Sequence, residues 1–216
     1  MYRFICLFLA FSFVLVSCKK DDGDNLPQEQ VTDPGFYALQ VGNVWIYNYF
    51  RADNDTGELI NQGGTETVEI INEEVIGDEV IFTMRTTTVD DNNTCAICNE
   101  DPLVIRKVKD SLGYLVEVDG PILFSSVSTQ DYLVSSQGFG DTFRVLKPNE
   151  VLVTVPAGQF VTKDNERYAI DPNGNRYDGQ DNLYYADGVG EIRQTMSTVV
   201  ALRILYEKQL ISYSVQ

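Results

Sequence analysis

The sequence predicts an all-β, mainly antiparallel domain, a curved sheet or half-barrel or else a β-sandwich, with little helix apart from a signal peptide. Three observations carry this. Runs of β-branched and aromatic residues recur along the chain. Gly, Pro, Asn and Asp turn signals separate them at roughly the 8–12-residue spacing of antiparallel domains. No segment holds a 3.6-residue apolar stripe for three turns between good caps. With 216 residues, 44% hydrophobic and 22% charged, the composition is that of a folded chain.

The elements follow in chain order. Met1-Tyr2-Arg3 is a short basic segment, and Phe4 to Val16 is almost wholly apolar. That run is shorter than the ~20 residues a membrane-spanning helix needs and fits a secretory signal peptide over residues 1–17. Leu15-Val16-Ser17-Cys18 resembles the bacterial lipobox. The resemblance implies cleavage before Cys18 and its lipidation, and several buried acyl chains at roughly 0.8 kcal/mol per CH₂ hold a protein to a bilayer. Position +2 is Lys19, not the Asp that retains lipoproteins at the inner membrane of enteric bacteria. The acid-rich stretch Asp21-Asp22-Gly23-Asp24 is similar to the export tags of some surface lipoproteins. The expected location is therefore the cell envelope, lipid-anchored in the outer membrane, on its periplasmic face or at the cell surface. Residues 18–34 read as lipidated Cys and polar tether, and 35–216 as a single antiparallel β domain.

Within that domain, strands are expected over Val44–Phe50, Thr65–Ile71, Val80–Thr88, Tyr114–Val118, Val151–Val155, Phe160–Ile170 and Val199–Tyr213. Leu202–Ile211 is the best helical candidate, although its Ile and Tyr content also suits a strand. Turns are expected at Asp55-Thr56-Gly57, Gly63-Gly64, Ile76-Gly77-Asp78, Asp119-Gly120-Pro121, Pro156-Ala157-Gly158 and Pro172-Asn173-Gly174-Asn175. Glu73-Glu74 and Asp90-Asp91 read as solvated turn residues. Leu39, Val41, Trp45 and Tyr47 would share one face of a straight strand, but Gly42-Asn43 suggests a turn or bulge that resets the register.

Three patches together resemble a group of uncharacterised bacterial secreted proteins and lipoproteins. Residues 36–47, with Leu39-Gln40-Val41-Gly42-Asn43-Val44-Trp45-Ile46-Tyr47, are similar to their opening YPLxVGNxWxY. Val153-Thr154-Val155-Pro156-Ala157-Gly158-Gln159-Phe160 matches VxVPAGxF, and Tyr184 to Arg193 matches YYAxGVGxVK with Arg193 in place of Lys. The resemblance implies a β-rich curved or half-barrel domain akin to periplasmic lipoprotein-carrier folds, and carries no activity or catalytic residues with it.

Several functions are excluded or weakened by residue content. The chain has no histidine, so His-based triads, imidazole bases and HExxH zinc sites are ruled out. Sixteen basic against 32 acidic residues, a net charge of −16, argues against nucleic acid. GxSxG, SxxK and GxxxxGK[ST] motifs are missing. Cys95 and Cys98 are the cysteines left for a disulfide in an oxidising compartment, within what reads as a loop after a Thr-rich strand. Asp171, Asn173, Asn175 and Asp178 offer oxygens to a calcium ion, although EF-hand spacing fails because Arg176 stands at the sixth loop position. A polar hairpin loop explains the same residues. Tyr184 and Tyr185 point to opposite faces if they lie in a strand, so that one could stack on a sugar or line an apolar pocket.

The expectation is a non-catalytic β domain, not an enzyme, that serves ligand or partner binding or an envelope-structural role. No cofactor is expected apart from calcium as a candidate. The partners would be the membrane through the lipid anchor, with an envelope protein, a glycan or a hydrophobic ligand as candidates. The alternative is a carrier of a lipid or hydrophobic ligand in a half-barrel cavity. A carboxylate-dependent hydrolase is the third reading.

Overall fold

The computed structural model describes residues 35–90, 95–98 and 101–216. The signal peptide, Cys18 and the tether lie outside the described residues. Thirteen strands follow in order: β1 (Val44–Ala52), β2 (Leu59–Ile76), β3 (Glu79–Val89), β4 (Leu103–Ser111), β5 (Tyr114–Glu117), β6 (Ile122–Ser125), β7 (Tyr132–Gln137), β8 (Gly140–Leu146), β9 (Val151–Val155), β10 (Gly158–Ile170), β11 (Arg176–Ala186), β12 (Gly190–Ser197) and β13 (Ile204–Ser214). No helix occurs among the described residues.

All pairings are antiparallel and belong to one sheet, in the order β6-β5-β4-β3-β2-β1-β13-β12-β11-β10-β8-β7, with β9 paired to β10 alone. A single strongly curved, nearly closed sheet decides against the sandwich. In β1, Trp45, Tyr47 and Tyr49 are buried at alternate positions, and in β2 Glu66, Val68 and Ile70 are. Period-2 alternation of this kind places one face of each strand inside. Between Ile46 and Tyr47 the β13 partner jumps from Ser212 to Leu210, a bulge that bends the sheet.

The two ends of the path do not pair as strands. Side chains close the gap instead. Asn165 of β10, fully buried, accepts from Ser125 N at 3.2 Å and donates Nδ2 to Ser125 O at 2.9 Å. Its amide therefore supplies the donor and acceptor that a neighbouring strand would. Tyr132 OH of β7 donates to the same Asn165 oxygen at 3.1 Å, Lys163 Nζ to Ser126 O at 2.6 Å, and Arg144 Nη1 of β8 to Leu123 O of β6. Asn165→Ala should cost about 1–3 kcal/mol, because it orphans both peptide groups of Ser125 in a buried seam. A matching shift of the urea midpoint checks this; an unchanged midpoint would mean that the seam carries no stability.

Most sequence-expected strands form, several of them longer than expected. Of the helical candidate, residues 204–211 are extended in β13 and not helical, and residues 199–203 precede that strand. Gly63-Gly64 makes no turn. The pair lies inside β2, where the β1 register jumps from Thr65 to Asn61. Gly64 is required there by close approach, since a Cβ would collide with Cys98 Sγ and lie 2.8 Å from Cys95 Sγ. Glu73-Glu74 also lies within β2, where Glu74 pairs with Lys107. Asp90 Oδ2 accepts from Cys95 N at 2.8 Å. Strands β4, β6, β7, β8, β11 and β12 were not expected from the sequence pattern.

Candidate functional site

The three family-like patches meet in space. A turn at Val41-Gly42 precedes β1, in keeping with the register reset expected from Gly42-Asn43. Asn43, fully buried, donates Nδ2 to Ala38 O at 2.8 Å and accepts from Gln216 N at 3.0 Å. Trp45 Nε1 then donates to Val189 O at 2.6 Å, and Tyr47 OH donates to Glu191 O at 3.0 Å, both in the Tyr184–Arg193 patch. Gly190 sits at φ +102° with a would-be Cβ 3.3 Å from Trp45 Nε1, so glycine suits both the backbone and the indole. The VPAG turn docks through Ala157 N to Leu210 O at 3.1 Å, beside the β13 bulge. These patches are the girders of the barrel.

The first and third patches line a cavity of about 380 Å³, within the about 300–1,000 Å³ usual for small-molecule sites. Trp45, Val68, Met84, Leu115, Leu183 and Met196 provide its apolar wall. Five charged side chains also line it: Glu66, Glu191, Lys208, Arg106 and Arg144.

Lys208 of β13 is the centre of the charged group. Its Nζ lies 3.0 Å from Glu66 Oε1, 2.9 Å from Glu191 Oε1 and 4.7 Å from the centre of the Tyr47 ring. Tyr49 OH donates to the second oxygen of Glu66 at 2.7 Å. Burial alone would push the Lys208 ammonium towards neutrality, but Glu191 and Glu66 outweigh it and hold its pKa well above the usual lysine value. Burial likewise opposes ionisation of Glu66, yet Lys208, the Tyr49 hydroxyl and Arg106 bring its carboxyl below the usual range. Burial raises the phenols of Tyr37, Tyr47, Tyr49 and Tyr185, which stay neutral hydrogen-bonding groups.

Arg144 and Arg106 are different. Among the described residues neither has a carboxylate within ion-pair distance; the basic residues that do are Arg85, Lys107, Lys109, Lys147, Arg167, Arg176 and Lys208. Arg144 gives Nη1 to Leu123 O, while its buried Nε–H has no acceptor. Burial lowers its pKa.

The sequence-expected site residues fall in several places. Cys95 and Cys98 form a disulfide, S–S 2.06 Å, packed on Gly64, and Ile97 between them reaches the cavity wall. Tyr184 and Tyr185 lie in β11 and both are buried. Tyr185 lines the cavity, whereas Tyr184 lies under the Arg193 guanidinium, 4.6 Å from ring centre to Cζ. Asp171, Asn173 and Asn175 come together in the β10–β11 turn, where Asp171 Oδ1 accepts from the backbone N of Asn173 and of Asn175, each at 2.8 Å. Asp178 lies within β11. Among the described residues no three His, Cys, Asp or Glu side chains are grouped to hold a metal ion. The charged cavity group was not singled out from the sequence, although Glu66 in phase with Val68 and Ile70 is a visible signal.

The fold occurs in solved structures. A candidate exported protein of Bacteroides fragilis with a YmcC-like fold aligns at TM-score 0.52 and 12% identity, covering 83% of this chain and 99% of that one. A candidate lipoprotein of Parabacteroides distasonis aligns at 0.50 and 11%, covering 83% and 98%. At such identities the likeness is one of fold. No family model and no curated protein matches the chain.

Proposed function

We propose that this chain is an outer-membrane lipoprotein, anchored through Cys18, whose β domain is a non-catalytic binding module that takes a small ligand into the barrel. The observation that carries the binding role is the 380 Å³ cavity, walled by apolar side chains and set with buried, oriented polar groups. The Leu15–Cys18 lipobox supports the anchor, and the lipoprotein among the structural neighbours agrees with it. A hydrolase is disfavoured because the two cavity carboxylates are both paired with one lysine ammonium, so neither stands free in the cavity.

Trp45 is the chain's single tryptophan and it lines the cavity, so ligand entry has a built-in reporter. Native mass spectrometry of protein purified from its own envelope should show a bound small molecule, and stripping it should change Trp45 fluorescence. A bare protein whose emission responds to no envelope extract would overturn the binding role. Separately, Cys18→Ser should move the protein from the membrane pellet to the soluble fraction and abolish palmitate labelling. Persistent sedimentation with the membrane would count against the anchor.

A further inference from the structure

We infer that the cavity is built for an amphipathic monoanion, its acidic head seated on the Arg144 guanidinium and its apolar body against Trp45, Met84 and Leu183. The inference rests on the cavity being a ligand site and specifies the class of ligand.

The charge inventory points one way. The protein has twice as many acids as bases, yet three of its 16 basic residues converge on this one cavity against two carboxylates. Both carboxylates are engaged by Lys208, and Glu66 also by Tyr49. The cationic excess therefore resides on Arg106, which is exposed, and on Arg144, whose Nε is buried. A guanidinium withdrawn from water without a counter-charge is costly, and an oriented acceptor relieves that cost. Arg144 is held in place through Nη1 on Leu123 O, with Tyr132 opposite it in the β7–β8 register. Its Nε–H has no partner. Nε and the adjacent Nη form the side-on edge that receives a carboxylate or similar oxyanion in two parallel hydrogen bonds. Glu66 and Glu191 lie against Lys208 and would repel a second anion there, whereas Glu191 reaches Arg144 only from beyond ion-pair distance, which directs the head towards Arg144. The apolar wall sets the other requirement, since a fully polar anion would leave Trp45, Met84 and Leu183 facing its hydration shell.

The test uses three probes with one chain length: octanoate, 1-octanol and octylammonium. Each is titrated by calorimetry and by Trp45 fluorescence into the chain from residue 18 onward carrying Cys18→Ser, which retains every described residue. Octanoate should bind at least tenfold more tightly than octanol, and octylammonium more weakly than either. Arg144→Gln should reduce octanoate affinity at least tenfold and octanol affinity less than twofold. Arg144→Lys, which keeps charge but not the two-donor edge, should fall between. Equal binding of octanoate and octanol, or preference for octylammonium, would overturn the anionic class while leaving the cavity as a binding site. Failure of all three probes to bind would overturn the cavity reading itself. The wild-type order alone decides the class if an Arg144 variant does not fold.

Discussion

Lys208→Met should destabilise the domain by about 3–5 kcal/mol near neutral pH, the usual cost of removing one partner from a buried ion pair. Lys208 is buried between Glu66 and Glu191, with Tyr47 beneath it and Tyr49 bonded to Glu66. Methionine fills the space but leaves two carboxylates facing each other without the ammonium. The pH dependence separates this from simple loss of packing. In the wild type the Glu66 pKa lies below its ordinary value of 4.5, so its contribution is complete above that value and is lost as pH falls through the lowered one. Lys208 lies above its ordinary 10.5, so its contribution is complete below that and fades only at higher pH. In the variant, burial would act on Glu66 with only the Tyr49 hydroxyl and Arg106 left to oppose it, and its pKa should rise. Acidification to about pH 5 should therefore narrow the stability gap between variant and wild type. Urea denaturation of both proteins at pH 7.5 and pH 5 measures it. A gap that is constant with pH would mean that Lys208 contributes bulk and not charge. Adding Glu66→Gln and Glu191→Gln to Lys208→Met should recover much of the loss, because an uncharged cavity has no unpaired ion to bury.

The elements most legible in the sequence are those with runs of aromatic or β-branched residues at alternate positions. In β1, Trp45, Tyr47 and Tyr49 alternate with less buried residues, and β9 and β10 follow a strong Val-Pro-Ala-Gly signal. Two of the strands missed carry polar residues where an apolar alternation would be read. β8 turns Arg144 inward, and β11 reads Asp178, Gln180, Asp181, Asn182 before its apolar end. A polar residue facing a charged cavity erases the apolar–polar alternation that identifies a strand. The same cause hid the site. A cationic residue at Lys208 and an acidic one at Glu66 look like ordinary surface residues until the register places Tyr49 opposite Lys208 in the β1–β13 pairing. Gly63-Gly64 misled for another reason. Glycine was required by the sulfur atoms of a loop some thirty residues later in the chain, a demand that no local pattern carries.

Trp45→Ala should be the other severe substitution, at about 3–5 kcal/mol for loss of a buried tryptophan. The indole touches Gly190, lines the cavity and donates to Val189 O at 2.6 Å, which joins the start of β1 to the β11–β12 turn 144 positions later. Gly188 N reaches Phe36 O at 3.2 Å across the same junction, so the N-terminal turn and this hairpin are secured together. Trp45→Phe divides the effect. It keeps most of the apolar contact and removes only the N–H, and should cost about 1–2 kcal/mol, the penalty for an acceptor left without its donor. Both variants lose the only tryptophan, so unfolding must be followed by circular dichroism. If Trp45→Phe proved as damaging as Trp45→Ala, the Val189 bond would be the main tie between the patches. If it were neutral, shape alone would join them. The expected intermediate result means that Gly190 makes room for the ring while the Val189 carbonyl orients it.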